Sequence, residues 1–274
     1  MREGKPSLTA AIVAAARAIA PRRRDPHAGD LIDGPLQGVV RAAERPALRE
    51  VCRRASLGLV DHIALRTAAI DGELERAVSD GITQVVLLGA GLDSRAWRLA
   101  GPEVRVFEVD HPDTQRFKRS RAPSIGAPTY VPVRFGEERV ADALEAAGHD
   151  AATRTFWIWE GVTMYLPRAA VADTLEQVAE RSAGGSRLAV TYVTDHGGSI
   201  APALERVVQT GFRALGEGLE ATYRPSQFAS LLDEHGFSED SDRGSDEWSQ
   251  EWGGNPRWAG VLLGGERLCV ANKR

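Results

Sequence analysis

QVVLLGAGLDSRAWRL, residues Gln84–Leu99, runs from apolar β-formers through Gly-Ala-Gly into a helical pattern. VRVFEVDHP, Val104–Pro112, is a second apolar run that ends on an acid. A glycine turn at one strand tip, facing a carboxylate at the next, is how an open α/β sheet holds a nucleoside. Gly89 and Gly91 let a ligand approach the backbone, and the helix that follows offers unpaired N–H groups. Asp110 is suited to accept hydrogen bonds from the vicinal hydroxyls of a ribose. Two ligands fit such a pair, a dinucleotide or S-adenosyl-L-methionine (SAM). Ser94 occupies the place of the dinucleotide fingerprint's third glycine, which tilts the choice away from NAD.

Toward the C-terminus the alternation continues. Strands are expected at Gln84–Leu88, Val104–Val109, Tyr130–Val133, Thr155–Trp159 and Arg187–Val193. Helices are expected between them at Ser94–Leu99, Thr114–Arg121, Glu138–Ala147 and Arg168–Arg181. This alternation predicts an α/β fold with a parallel sheet and right-handed crossovers. After Asp195 the pattern changes. His196–Ser199 is a Gly-rich break, and Ala201–Leu215 is a helix leading into no strand, which reads as a lid over the strand tips. A capped helix at Ser226–His235 precedes the last two strands, Phe237–Ser241 and Leu268–Asn272. The polar segment Asp242–Trp258 between those strands reads as a long surface loop, packed by Trp248, Trp252 and Trp258.

Toward the N-terminus, Leu8–Ala20 is an Ala-rich amphipathic helix with Ser7 or Thr9 as N-cap. Pro21–Asp30 breaks it, and Arg22–Arg24 reads as a solvated charge run. Helices are expected at Arg41–Arg54, Ser56–Ile70 and Glu73–Asp80. His62 and Arg66, spaced i, i+4, share one face of the second of these and read as surface residues unless a ligand claims them. The chain then divides into a helical cap (1–80), a nucleoside-binding core (81–195), and a lid with the rest of the sheet (196–274).

The chain's 274 residues, 43% hydrophobic and 26% charged, suffice to bury a sizeable core. A net charge of −4 argues against a nucleic-acid partner held by a broad basic surface. Cys52 and Cys269 lie far apart, without CxxC or Cys/His spacing, and read as reduced packing residues with no metal site. No apolar run approaches the ~20 residues that span a membrane. Leu8–Ala20, interrupted by Arg17 and followed by Arg22–Arg24, fits a secretory signal poorly. The expectation is a protein of the reduced cytoplasm.

Three segments, LLGAGLDSRAWRL, VFEVDHP and FWIWEGVTMYLP, resemble the signature segments of the leucine carboxyl methyltransferase-like family of SAM-dependent O-methyltransferases, in its bacterial branch. The similarity extends through SLTAAIVAAARA, DPHA, HIALRTAAID and YRPSQFASLLDEHGF, in order, over nearly the whole chain. The resemblance implies a class I methyltransferase fold: a Rossmann-like, mostly parallel seven-stranded sheet, helices on both faces, an N-terminal helical cap and a helical lid. It implies SAM as cofactor. Arg66 then resembles the arginine that pairs with the cofactor's carboxylate, a bidentate task suited to guanidinium. Gly89, Ala90 and Gly91, with Asp93 just beyond, line the methionyl and ribose region. Asp110 resembles the ribose acid, with Glu108 two residues back on the same side of the strand. Glu160 resembles the glutamate near the sulfonium and amino group, and Tyr165, on the same turn, faces the substrate.

One departure is visible. Where the family carries an acid and an apolar residue after the third strand, the acid receiving the adenine amino group, this chain has Arg134–Phe135. Arginine has no acceptor. Glu137 or Glu138 from the next turn, or backbone alone, would have to substitute, while Phe135 packs on the ring. The implied reaction is transfer of the SAM methyl to an oxygen. A carboxylate is the simplest acceptor because it needs no base; a phenol or alcohol would need one, with a histidine near the cofactor mouth as candidate, although His62, His111 and His196 each read as structural or solvated. A methyl ester of a small molecule or peptide, in secondary metabolism, is the product class this implies. The alternative, resting on Arg134, is a SAM-fold protein that has lost methyl transfer and binds a metabolite or guides a cyclisation.

Overall fold

The computed structural model describes residues 7–99, 101, 103–123, 126–194, 218–254 and 265–274. The expected lid helix Ala201–Leu215, with His196 and Trp258, lies outside these residues. Four helices come first: α1 (Leu8–Ile19), α2 (Gly34–Ala42), α3 (Pro46–Ala55) and α4 (Leu59–Ser79). The alternating part follows as β1 (Gln84–Leu88), α5 (Arg95–Arg98), β2 (Arg105–Asp110), α6 (Pro112–Arg119), β3 (Thr129–Pro132) and α7 (Val140–Ala146). It continues through β4 (Thr155–Trp159), a 3₁₀ turn (Thr163–Tyr165), α8 (Arg168–Glu180) and β5 (Arg187–Val193). The described chain closes with α9 (Pro225–Glu234), β6 (Phe237–Gly244), α10 (Ser245–Trp252) and β7 (Glu266–Lys273).

The seven strands form one sheet in the order β3-β2-β1-β4-β5-β7-β6. The pairs among β1 to β5 are parallel, while β7 runs antiparallel between β5 and β6. From β1 the chain builds outward to β3 on one side and then restarts at β4 on the other. The carboxyl ends of β1 and β4 therefore flank the topological switch point, where ligands bind in such sheets.

Every residue of β1 and β4 is buried, because both faces of the sheet are covered and the strands must be apolar throughout. Val86, Leu88, Phe107, Trp157 and Trp159 pack on one face with α7, α8 and α9. On the other face, Val85, Leu87, Phe156 and Ile158 pack against Leu65, Ile70 and Leu74 of α4 and Trp248 of α10. At the start of the chain, Ser7 Oγ accepts the Ala10 N–H at 3.0 Å and caps α1.

Three sequence expectations are corrected. The helix expected over Arg41–Arg54 is two helices, α2 and α3, with Pro46 at the first position of the second, where its missing N–H costs nothing. The helices expected at Ser56–Ile70 and Glu73–Asp80 are one, the 21-residue α4. Gly72 sits mid-helix without breaking it. A Cβ there would stand 2.5 Å from Trp252 Cζ2, so the glycine makes room for the indole. Finally, Asp242–Trp258 is not simply a surface loop. β6 continues to Gly244, and α10 follows directly, with Trp248 wholly buried. β6 was hard to read because it is an edge strand, paired only with β7 and polar along its length.

Candidate functional site

A cavity of about 440 Å³ opens at the carboxyl ends of β1, β2 and β4, with α1 forming part of its wall. The β1 tip turns through Gly89 (φ +65°) and Gly91 (φ +51°), a left-handed conformation that glycine adopts without strain. A Cβ on Gly89 would also lie 2.5 Å from Val162 Cγ2. Across the turn, Asp110 accepts the Gly91 N–H through Oδ2 and the His111 N–H, at 2.6 Å, through Oδ1. Burial raises the Asp110 pKa, and these two donors partly offset the rise.

Glu108 shares a side of β2 with Asp110 but lies one repeat deeper. It is wholly buried, bonded to Lys118 Nζ at 2.7 Å, and absent from the cavity wall. Burial lifts its pKa to about 7 even against Lys118. The expected cofactor contact from Glu108 is therefore corrected: strand alternation decides the side, whereas only the tip reaches the cavity.

At the other end, Glu160, just past β4, gathers three guanidiniums. Its Oε1 accepts from Arg17 Nη2 at 2.7 Å and Arg66 Nε at 2.9 Å, and its Oε2 accepts from Arg95 Nη1 at 2.7 Å. Arg17, brought in by α1, also reaches Asp93 at 3.2 Å and Thr67 Oγ1 at 3.3 Å. Arg95 is 1% exposed and holds Asp71 at 2.6 Å and Asp93. Arg66 Nη1 straddles both oxygens of Glu266 at 2.8 and 2.9 Å, and His62 Nε2 meets Glu266 at 2.6 Å. His62 and Arg66 are thus buried network members rather than surface residues. Burial alone would raise the Glu160 carboxyl, but Arg17, Arg95 and Arg66 outweigh it and hold it well below the usual range. Asp93 and Glu266 are lowered against burial in the same way, by Arg95 and Arg17 and by Arg66 and His62 respectively. Glu160 is accordingly ionised and is no proton donor.

Two capacities remain in this cluster. A carboxylate offers about four acceptor sites, of which Glu160 uses three. Arg66 donates through Nε and Nη1, while its Nη2 meets no acceptor among the described residues. Ala90, Arg134, Phe135 and Tyr165 also line the cavity, Phe135 half-buried and Arg134 exposed. Ten of the expected site residues are thereby brought to one cavity: Arg66, Gly89, Ala90, Gly91, Asp93, Asp110, Arg134, Phe135, Glu160 and Tyr165. Sequence reasoning missed Arg17, Arg95 and Glu266. The one usable signal was Arg17 itself, a lone cation on an Ala-rich helix whose neighbours Ala14, Ala15, Ala16 and Ala18 are all buried.

Residues 10–179 match the profile of the family described as leucine carboxyl methyltransferase. A relative from Mycobacterium ulcerans, provisionally named an S-adenosyl-L-methionine-dependent methyltransferase, is 38% identical over 251 residues, which covers 84% of this chain and 81% of the relative. A Streptomyces coelicolor protein of the same provisional name is 47% identical over 148 residues, 52% of either chain. The match thus spans about half the length of that relative, as it does for others. A crystal structure from Thermobifida fusca, provisionally called a methyltransferase, superposes with a TM-score of 0.61 at 16% identity, covering 99% of this chain and 96% of the other. At that identity the likeness shows the fold alone, and the fold is that of class I methyltransferases.

Proposed function

The chain belongs to the leucine carboxyl methyltransferase family, and on that premise we propose that it is a SAM-dependent O-methyltransferase forming a methyl ester on a carboxylate of a small molecule or peptide. The observation that carries this reading is one continuous cavity whose walls present, end to end, partners for an amino acid, a ribose and a base. Arg66 Nη2 and the remaining acceptor site of Glu160 suit a carboxylate and an ammonium. The Gly89–Gly91 turn clears space beside the backbone, and Asp110 meets the ribose hydroxyls. Phe135 offers a ring face to the base.

When bound, SAM supplies a methyl group on a cationic sulfur, whose C–S bond breaks as the acceptor oxygen bonds to carbon. The chain's own residues align the partners and exclude water. A carboxylate acceptor is ionised at neutral pH and needs no general base, and the carboxylates and histidine nearest the β1, β2 and β4 tips are committed to other partners. Asp93 and Glu160 are held by arginines, and Asp110 accepts two backbone N–H groups. His111 Nδ1 accepts the Asp113 N–H at 3.2 Å, which makes Nε2 the protonated nitrogen of the neutral ring. Tyr165, on the 3₁₀ turn after Glu160, orients the acceptor. The N-terminal helices close the cavity, and the protein acts in the cytoplasm without nucleic acid.

Calorimetry with SAM and its product S-adenosylhomocysteine tests the cofactor, and mass analysis on panels of carboxylates and phenols tests the reaction. A product lacking the added methyl across every panel would leave binding or cyclisation as the role. Asp110→Ala is expected to weaken S-adenosylhomocysteine roughly 10- to 100-fold, the worth of charge-assisted hydrogen bonds to two hydroxyls. Since the ionised carboxylate is the binding form and burial raises its pKa, affinity should be full at neutral pH and fall as pH drops through that raised value. Unchanged affinity in Asp110→Ala would remove the ribose assignment.

A further inference from the structure

Glu266 is absent from the cavity wall, yet it holds a guanidinium that lines it. The sheet explains how a residue 200 positions from Arg66 comes to meet it. β7 runs antiparallel to β5, so its first residue stands at the carboxyl end of β5, opposite Val193. The Thr194 N–H donates to the Gly265 carbonyl at 2.8 Å and ties that start in place. From there the buried Glu266 side chain reaches α4. Its two oxygens share Arg66 Nη1 at 2.8 and 2.9 Å, and His62 Nε2 meets Oε2 at 2.6 Å. Glu160 takes Arg66 Nε at 2.9 Å. A guanidinium is a rigid plane, so acids on Nε and Nη1 together fix its orientation. Nη2 is left as the open donor of a side chain on the cavity wall.

We propose that Glu266 is a positioning residue, which from outside the cavity sets the plane of Arg66 so that Nη2 meets the carboxylate of the cofactor's amino-acid end. The inference rests on the cofactor reading above. Two effects of Glu266 oppose each other. Its negative charge lowers the positive potential around Arg66, which on charge alone weakens the hold on an anion. Its bonds to Nη1 keep the guanidinium from closing side-on over Glu160 through Nε and Nη2, the paired geometry that arginine and a carboxylate favour. That closure would consume the open donor. Aim is the larger effect, because the charge acts from behind the guanidinium whereas the donor is the contact itself.

Calorimetry with S-adenosylhomocysteine and its decarboxylated analogue, which keeps the amine and the nucleoside, isolates this contact. The readout is the ratio of the two affinities, since a variant that merely loosens the fold weakens both ligands alike. The wild type is expected to prefer S-adenosylhomocysteine by roughly 30-fold, within the range for a charge-assisted hydrogen bond. Glu266→Gln keeps one acceptor for Nη1, and the preference falls to roughly tenfold. Glu266→Leu keeps none, and the preference falls to about threefold. The proposal is overturned if the preference in Glu266→Leu stays at the wild-type value, which makes Glu266 scaffold only. It is equally overturned if the preference rises, which makes charge the larger effect. Should the leucine variant fail to fold, Glu266→Gln decides by the same ratio. A wild type that binds both ligands alike overturns the proposal alone, whereas one that binds neither overturns the cofactor reading as well.

Discussion

Replacing Arg95 by leucine is expected to remove about 3–5 kcal/mol of folding stability, the range for breaking a buried ion pair from one side. The guanidinium is 1% exposed and holds Asp71 at 2.6 Å, Glu160 at 2.7 Å, and Asp93 besides. Leucine fills the space but leaves three buried carboxylates each short of one cation, with only Arg98 left to Asp71, Arg17 to Asp93, and Arg17 and Arg66 to Glu160. Against a total of roughly 5–15 kcal/mol for a domain, that loss is a large share. Scanning calorimetry should find the melting midpoint lower by on the order of 10 °C. The gap should narrow on acidification. Asp93 and Glu160 have pKa values depressed in the folded wild type, so their stabilisation is present above the unfolded pKa and is lost as pH falls through the folded one. The wild type therefore loses at low pH what the variant never had. Arg139, paired with Glu180 at 2.6 Å but half exposed, provides the contrast: Arg139→Ala should leave the midpoint in place. If Arg95→Leu behaved like Arg139→Ala, the cluster would contribute no more than a surface pair.

The same contrast separates what is legible in the chain from what is not. β1, β4 and β5 begin and end where the sequence predicts, because strands covered on both faces read as unbroken apolar runs. Gly89, Gly91 and Asp110 are legible for a related reason, since strand ends follow from those runs and ligands follow from strand ends. The ion-pair cluster has no such local trace. Arg66 and Glu266 are 200 residues apart, and Arg17 and Glu160 are 143 apart. Periodicity reports which face a residue occupies and says nothing of its partner across the fold. Glu108 shows the same limit at short range: it shares a face with Asp110, but depth in the sheet decides that one meets Lys118 and the other the cavity. Gly72 shows it in reverse. Lying between the two helices expected at Ser56–Ile70 and Glu73–Asp80, it is a packing surface for Trp252, from a helix hidden in a polar stretch.

Glu160→Gln carries the second large effect, and it separates scaffold from binding site. Glutamine keeps the shape of the side chain and removes the charge that Arg17, Arg66 and Arg95 share. Loss of one charged partner from a desolvated site is expected to weaken S-adenosylhomocysteine on the order of 100-fold, about 2.7 kcal/mol. The same change also loosens the cluster, so binding and stability need separate readouts. At a ligand concentration 100 times its dissociation constant, the wild type should gain about 2.7 kcal/mol and melt several degrees higher. The variant at that concentration is about half saturated and should gain only about 0.4 kcal/mol, a rise of roughly one degree. If Glu160 merely braced the arginines, the variant would melt earlier without ligand yet keep the full ligand-induced rise. A lower baseline with an intact rise would therefore assign Glu160 to the scaffold, and a lower baseline with a lost rise assigns it to the wall that meets the cofactor.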